Sequence, residues 1–213
     1  MKKENNNPIT EIPAAIAIES SITDLMGIQN ADGETISELF GKFASDQLKD
    51  EKEISYDRLM NMMLERLGEL NTEKISISTE GKIVSSSDRI ELVYAEDAES
   101  GMEGCETRVL FDTADRNLVT MVRNGMSNAS LVFSSDNKRQ RCLYDTGIGD
   151  PFELCVVTRR IVNKLTESGG SRELEYLIEI NGINAEYSHI TLSATPFSAQ
   201  TESNPTVIEY ELP

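Results

Sequence analysis

The sequence predicts a mostly β protein, an antiparallel up-and-down barrel that carries one inserted helical hairpin. Three observations predict this fold class. Apolar and polar residues alternate along most of the chain, turn residues recur about every ten positions, and one stretch changes to helical periodicity. Because no helical crossovers separate the later segments, hairpins are expected to join them, and strands joined by hairpins run antiparallel.

Ten segments alternate as strands do. In the first, predicted over 14–23, Ile16, Ile18 and Ile22 share one face. The others are predicted at 74–84, 88–96, 105–112, 117–124, 129–135, 139–146, 151–159, 172–181 and 185–195. Asn181-Gly182 and Asp136-Asn137 are expected reverse turns. Strands in this number form a closed barrel or a two-sheet sandwich, and we favour the barrel because closure leaves no exposed edge.

The stretch from residue 24 to residue 73 has the pattern of a helical hairpin. Thr35 and Glu38 have the spacing of a capping box, and the apolar residues that follow fall on one stripe of a helix over about 36–49. A second amphipathic pattern begins after Ser55 and ends near Asn71. The pair could close one mouth of the barrel, or bury its apolar stripe on the barrel side or in a dimer contact.

These elements make up one predicted domain, residues 14–196, which includes the insertion. The segments outside it, 1–13 and 197–213, are polar and contain prolines, and both are predicted to be flexible tails.

The chain is strongly acidic. Its 213 residues include 37 Asp and Glu against 20 Lys and Arg, a formal net charge of −17. This balance argues against binding to nucleic acid or to an anionic membrane surface. No run reaches the roughly 18 apolar residues of a membrane span, and the first residues are polar rather than an apolar signal core. Because three cysteines are too few for a disulfide scaffold, we expect a cytoplasmic protein.

Charge is unevenly distributed along the chain. Residues 86–107 carry seven acidic side chains and one basic one, whereas residues 116–165 carry eight basic and four acidic ones. One acidic run, Glu96-Asp97-Ala98-Glu99, lacks the ligand spacing of a calcium loop. We interpret it as a solvated turn.

Signatures of catalysis are missing from the sequence. The chain has one histidine, His189, which excludes a site with two histidine ligands. We interpret His189 as an exposed or hydrogen-bonded structural residue. Gly147-Ile148-Gly149 lacks the third glycine and the following helix that a dinucleotide site requires. The sequence therefore predicts no enzyme activity, no cofactor and no metal.

Two cysteines flank one predicted hairpin. If Ile148-Gly149 formed a two-residue turn, Cys142 and Cys155 would lie opposite each other. A redox-sensitive bridge and reduced thiols that fill the core are the two interpretations. We favour the second, because cross-strand disulfides fit the required geometry poorly.

Arg123 is the most informative basic residue. Alternation places it on the same, partly inward face as Val119 and Met121, where a guanidinium needs an acceptor. One hypothesis is that Arg123, with Tyr144 and Tyr176, binds the carboxylate or another polar head of a small apolar ligand inside the barrel. The alternative is a structural ion pair at one end of the barrel.

The order of several short motifs resembles the YwiB-like family of small bacterial calycin-like β-barrels, a domain of unknown function. The motifs are Thr79-Glu80-Gly81, Ile90 to Tyr94, Arg123 with Gly125, Leu131-Val132-Phe133, Tyr144-Asp145-Thr146 leading to Gly149, Phe152-Glu153-Leu154 ending in Thr158, and Leu174-Glu175-Tyr176. The resemblance covers 14–23 and about 74–196, and it implies a lipocalin-like barrel and no activity. The chain departs from the family at Gly147 to Asp150 and in its long insertion after the first strand.

The leading functional expectation is a non-enzymatic binding module for a small apolar or amphipathic molecule. The alternative is an interaction or assembly protein with a solid barrel, whose methionine-rich second helix, with Met60, Met62 and Met63, contacts a partner protein or a second copy of the chain. Cavity volume separates the two, because a barrel filled by its own side chains leaves no ligand site.

Overall fold

A computed structural model describes residues 9–25 and 72–197, which form a closed barrel of ten antiparallel strands. The strands are β1 (Thr10–Asp24), β2 (Thr72–Ser85), β3 (Arg89–Ala95), β4 (Glu106–Asp112), β5 (Leu118–Asn124), β6 (Asn128–Ser134), β7 (Arg139–Asp145), β8 (Phe152–Asn163), β9 (Gly170–Ile180) and β10 (Ile183–Pro196). Each strand pairs with the next along the chain, and β1 also pairs with β10. The antiparallel up-and-down barrel is therefore confirmed, and the sandwich is excluded.

All ten predicted strands are present, with shifted ends. β1 begins at Thr10, inside the predicted tail, and β8 continues to Asn163 instead of ending at 159. A bulge between Thr158 and Arg160 lets β8 change register against β9 and continue. The turn at Asn181-Gly182 is confirmed as a two-residue hairpin connection in which both residues have positive φ.

The inserted helical hairpin of the predicted fold class is not supported and is corrected here. The described residues contain no helix, and both predicted helices fall within 26–71, outside those residues. At the ends of the predicted insertion, Asp24 is the last residue of β1 and Thr72 the first of β2, and these strands pair with each other from Thr23 and Thr72 onward. An apolar stripe indicates which face a helix would bury. Most of the stability of a helix, however, comes from packing that face against another surface, and the sequence pattern gives no information about that surface.

The barrel interior divides into a packed half and a hollow half. One apolar cluster runs through the interior, and its fully buried members Phe133, Val119 and Leu174 pack the end where β1 begins and β10 ends. The interior at the other end, where β1 ends and β2 begins, is partly empty; we call it the cavity end. The described part of the chain contains no apolar helix of the length that a bilayer crossing requires.

Gly81 is needed where β2 packs tightly between β1 and β3 in the barrel wall. A Cβ atom at this position would lie 2.5 Å from the carbonyl oxygen of Val93 and 2.8 Å from Cγ1 of Ile16. Because the first contact is backbone, the barrel wall itself would have to move. We expect Gly81→Ala to lower the free energy of unfolding by about 1–3 kcal/mol, the usual range for overpacking. Urea unfolding of the wild type and the variant measures this loss. Gly182→Ala is the comparison: Gly182 has a positive φ and nothing lies within 4 Å of an added Cβ, so this variant reports backbone strain without crowding.

Candidate functional site

The cavity end of the barrel encloses a volume of about 360 Å³. This lies near the lower limit of small-molecule sites, which span roughly 300–1,000 Å³. Its walls are mostly apolar, formed by Ile18, Ile22, Ile75, Ile77, Met121, Leu131, Leu154, Ile178, Ile180, Ile190 and Leu192. These residues alternate with outward-facing ones along seven strands, so the period-two pattern that builds the barrel also makes the apolar cavity.

The three residues singled out from the sequence, Arg123, Tyr144 and Tyr176, all line this cavity. Arg123 does not reach it as a free cation. Its Nη2 lies 3.2 Å from Oε1 of Glu96, and its Nε donates a 3.3 Å hydrogen bond to Oγ1 of Thr107. The Arg123 and Glu96 side chains are 18% and 4% exposed. The geometry at Arg123 is thus that of the ion-pair alternative, within the lining of a cavity.

Glu96 is the residue that the sequence interpretation misplaced. The sequence pattern predicts a solvated turn at this position, but the side chain is buried. Its carboxylate accepts a 2.6 Å hydrogen bond from the Thr107 hydroxyl in addition to the Arg123 contact. Asp97 does behave as a turn residue, because its carboxylate accepts hydrogen bonds from the backbone N–H groups of Glu99 and Ser100. The signal that could have found Glu96 is its position directly after β3, in phase with the inward-facing Tyr94.

A second carboxylate, Glu186, lines the same cavity from β10. It accepts a short hydrogen bond from the buried hydroxyl of Ser188. The Tyr176 side chain lies beside this pair; its ring packs edge-on against Phe133, with centroids 4.9 Å apart. Burial, and secondly the charge of Glu186, raise the pKa of Tyr176 above its usual value. Tyr176 is therefore a neutral phenol at physiological pH.

Tyr94 is a further polar residue in the lining of the cavity. Burial, followed by the negative charge of Glu96, raises the pKa of its hydroxyl. Aromatic side chains also line the outer part of the site, where the rings of Tyr144 and Phe152 lie 5.6 Å apart between centroids. The site is an apolar chamber whose lining also includes two carboxylates, one guanidinium and neutral phenols.

Arg172 is an unexpected charge in the packed half of the barrel. Its residue is 1% exposed, the guanidinium carbon lies 4.3 Å above the centre of the Phe111 ring, and Nη2 donates to the carbonyl of Arg116. Nε and Nη1 are buried without a hydrogen-bond partner in the described structure. Burial lowers the pKa of Arg172 to about 10. The alternation of β9 places it on the inward face with Leu174 and Tyr176, a signal that the sequence contained.

One group of metal-ligand side chains occurs among the described residues, outside the cavity. Glu173, Glu175 and His189 lie together on the outer face of β9 and β10. Nη1 of Arg160 lies 3.1 Å from Glu173 and 3.4 Å from Glu175, so a cation of the chain itself already pairs with both carboxylates and offsets one of their two negative charges. Nε2 of His189 lies 3.0 Å from Oε1 of Glu173, which agrees with its interpretation as a hydrogen-bonded structural residue.

The proposed opposition of Cys142 and Cys155 is wrong. Cys142 pairs with Leu154 and Cys155 with Arg141, so the register differs by one residue from the expected one. A shift of one residue reverses the face on which a side chain lies, and the Cys142 side chain is buried while that of Cys155 is partly exposed. All three cysteines are free thiols.

Comparison with known proteins agrees with this architecture. The model of a domain of unknown function, DUF1934, matches residues 63–192. The barrel is similar to the crystal structure of the ywiB protein from Bacillus subtilis, with a TM-score of 0.58 and 17% sequence identity over 88% of this chain and 94% of that one. No curated protein matches the chain in sequence. Because the family model covers more than half of the chain, the protein belongs to the DUF1934 family of domains of unknown function.

Proposed function

We propose that the chain is a non-enzymatic binding module that holds a small amphipathic molecule in the cavity end of its barrel. The observation that carries this proposal is the 360 Å³ cavity, with mostly apolar walls and a few polar groups among them. A solid barrel, as the assembly alternative requires, would have filled this volume with its own side chains. An apolar chamber with a few oriented polar groups is the usual composition of a small-ligand site.

The residues that line the cavity also favour binding over catalysis. The carboxylate of Glu96 is engaged by Arg123 and Thr107, and that of Glu186 is engaged by Ser188. His189, the one histidine, lies on the outer face of the barrel with Glu173. A general base or a nucleophile activated by one requires a pair of groups facing a substrate, and the described lining supports binding better than proton transfer.

Filling the cavity tests the proposal. N-phenyl-1-naphthylamine, an uncharged dye that fluoresces in apolar surroundings, serves as the probe. We expect the protein to enhance its fluorescence and Leu131→Trp, which places an indole in the cavity, to reduce that enhancement at least about tenfold.

The matched control is Leu143→Trp, because the same change on the outer face, where Leu143 is 62% exposed, should leave dye binding unaltered. Equal binding by the two tryptophan variants would overturn the proposal, as would a wild-type protein that does not bind the dye. Native mass spectrometry of the purified protein then asks whether a small molecule is retained.

A further inference from the structure

We infer that the polar end of the bound molecule is a cation, a protonated amine on a small apolar body, and not the carboxylate that Arg123 alone would suggest. This inference rests on the proposed function, since it names the class of molecule that the cavity takes. Three features of the described residues support it: the charges that line the cavity, the charges around its mouth, and its aromatic rings.

The first feature is the charge of the lining. Two carboxylates, Glu96 and Glu186, and one guanidinium, Arg123, line the cavity. Since Arg123 is paired with Glu96, an incoming carboxylate would have to compete with a buried side chain 3.2 Å away. Glu186 accepts a hydrogen bond from the hydroxyl of Ser188. Because this hydroxyl is neutral, the contact does not offset the negative charge of the Glu186 carboxylate. A charge in a partly dry cavity acts more strongly than it does in water.

The second feature is the charge of the loops. The described connections at the cavity end are 96–105, 125–127, 146–151 and 181–182. They contain no Lys or Arg, and apart from Glu96, which belongs to the lining and is paired with Arg123, they carry four acidic residues, Asp97, Glu99, Glu103 and Asp150. The connections at the opposite end, 86–88, 113–117, 135–138 and 164–169, are nearly balanced, with the acidic residues Asp88, Asp115, Asp136 and Glu167 and the basic residues Arg116, Lys138 and Lys164. A mouth lined by one sign of charge concentrates ions of the opposite sign, so the described loops favour the approach of cations.

The third feature is the set of aromatic rings that line the cavity. Tyr94, Tyr144, Phe152 and Tyr176 contribute four rings to a site of modest volume. Ring faces attract ammonium groups, with most effect where water is excluded. The rings and the carboxylates therefore favour the same class of head group.

The test compares three eight-carbon compounds that differ in the head group: octylammonium, octanoate and 1-octanol. Each is titrated at neutral pH and low salt against protein that carries N-phenyl-1-naphthylamine. We expect octylammonium to displace the dye at a concentration at least about tenfold below that of octanoate, with 1-octanol between them. Raising the salt concentration should narrow the difference, because part of the attraction comes from exposed loop charges.

Two isosteric variants assign the preference to the cavity. Glu186→Gln should reduce the ratio between octanoate and octylammonium to about threefold or less. Glu153→Gln removes the same charge from an exposed position on the outer face and should leave the ratio as in the wild type. Equal displacement by the two ions, or stronger displacement by octanoate, would overturn the inference while leaving the binding proposal standing. If the dye does not bind, or if none of the three compounds displaces it, the binding proposal itself is overturned.

Discussion

Arg123→Met is expected to lower the free energy of unfolding by about 3–5 kcal/mol, the range for removing one partner of a buried ion pair. Methionine keeps much of the apolar stem but leaves the Glu96 carboxylate buried, with the Thr107 hydroxyl as its remaining partner in the network. The desolvation cost of Glu96 is then no longer offset by the guanidinium. Urea unfolding of the wild type and the variant at neutral pH measures the loss.

Removing the second charge separates this cause from a simple packing defect. In the background of Arg123→Met, the further change Glu96→Gln should recover more than half of the lost stability, because no unpaired carboxylate remains and the amide oxygen can still accept from Thr107. If Arg123→Met were nearly neutral, or if the double variant were less stable than the single one, the ion pair would not be the group that stabilises this side of the cavity.

The barrel was predictable because strand alternation is a local property of the sequence. Each strand has one face toward the interior, so the positions of Ile16, Ile18 and Val119 identify their face without knowledge of the partner strand. The short turns predicted that strands adjacent in sequence pair, and closure was favoured because it leaves no exposed edge; the pairing of β1 with β10 confirms it. The same alternation placed Arg123 on an inward face, and it lines one cavity together with Tyr144 and Tyr176, the two residues predicted to act with it.

Register and pairing were not predictable in this way. An error of one residue in the β7–β8 register was enough to bring Cys142 and Cys155 together in the prediction, although their side chains lie on different faces. The partner of Arg123 was also missed. Glu96 lies 27 positions earlier in the chain, and the contact exists because β4 lies between β3 and β5. Such contacts depend on the relative stagger of three strands, which alternation within each strand does not fix.

The helical insertion illustrates a different limit. The heptad-like spacing after Thr35 shows that 36–49 has one apolar face, and the strand segments show the same kind of one-sided pattern with period two. For the strands, the opposite wall of the barrel provides the surface that this face covers. The pattern of 36–49 has no such check, because these residues lie outside the described part of the chain, and an apolar stripe alone does not establish a helical element of the fold.

Alkaline pH should destabilise the protein through two buried phenols. Burial raises the pKa of Tyr94 and of Tyr176, so both stay neutral in the folded state at a pH where an unfolded tyrosine, with a pKa near 10, ionises. Below about pH 10 the two states bind the same number of phenolic protons and stability is unaffected. Above it, the unfolded state loses protons first, and each phenol lowers the free energy of unfolding by up to about 1.4 kcal/mol per pH unit.

Arg172 acts in the opposite direction over the same range. Burial lowers its pKa in the folded state to about 10, below the ordinary value of a guanidinium, so the folded state loses this proton first and stability rises by up to about 1.4 kcal/mol per pH unit above pH 10. With two phenols against one guanidinium, the net expectation is a fall of about 1.4 kcal/mol per pH unit. The half-buried Tyr187 and the Cys142 thiol, whose pKa values burial also raises, add to the fall.

Two variants should change this pH dependence in opposite senses, whatever their own stability. Replacing both phenols, Tyr94→Phe with Tyr176→Phe, should remove most of the fall in the free energy of unfolding between about pH 9 and about pH 11.5. Arg172→Met should steepen it, because the compensating loss of a proton from the folded state is gone. Urea unfolding across this range gives the slope of the free energy of unfolding against pH for each protein.

A fall equally steep in the phenylalanine variant would contradict the assignment to the cavity phenols, and an unchanged slope in Arg172→Met would mean that the buried guanidinium keeps its proton throughout. Tyr187 and Cys142 are present in all three proteins. The differences between the slopes therefore report only the two cavity phenols and the Arg172 guanidinium.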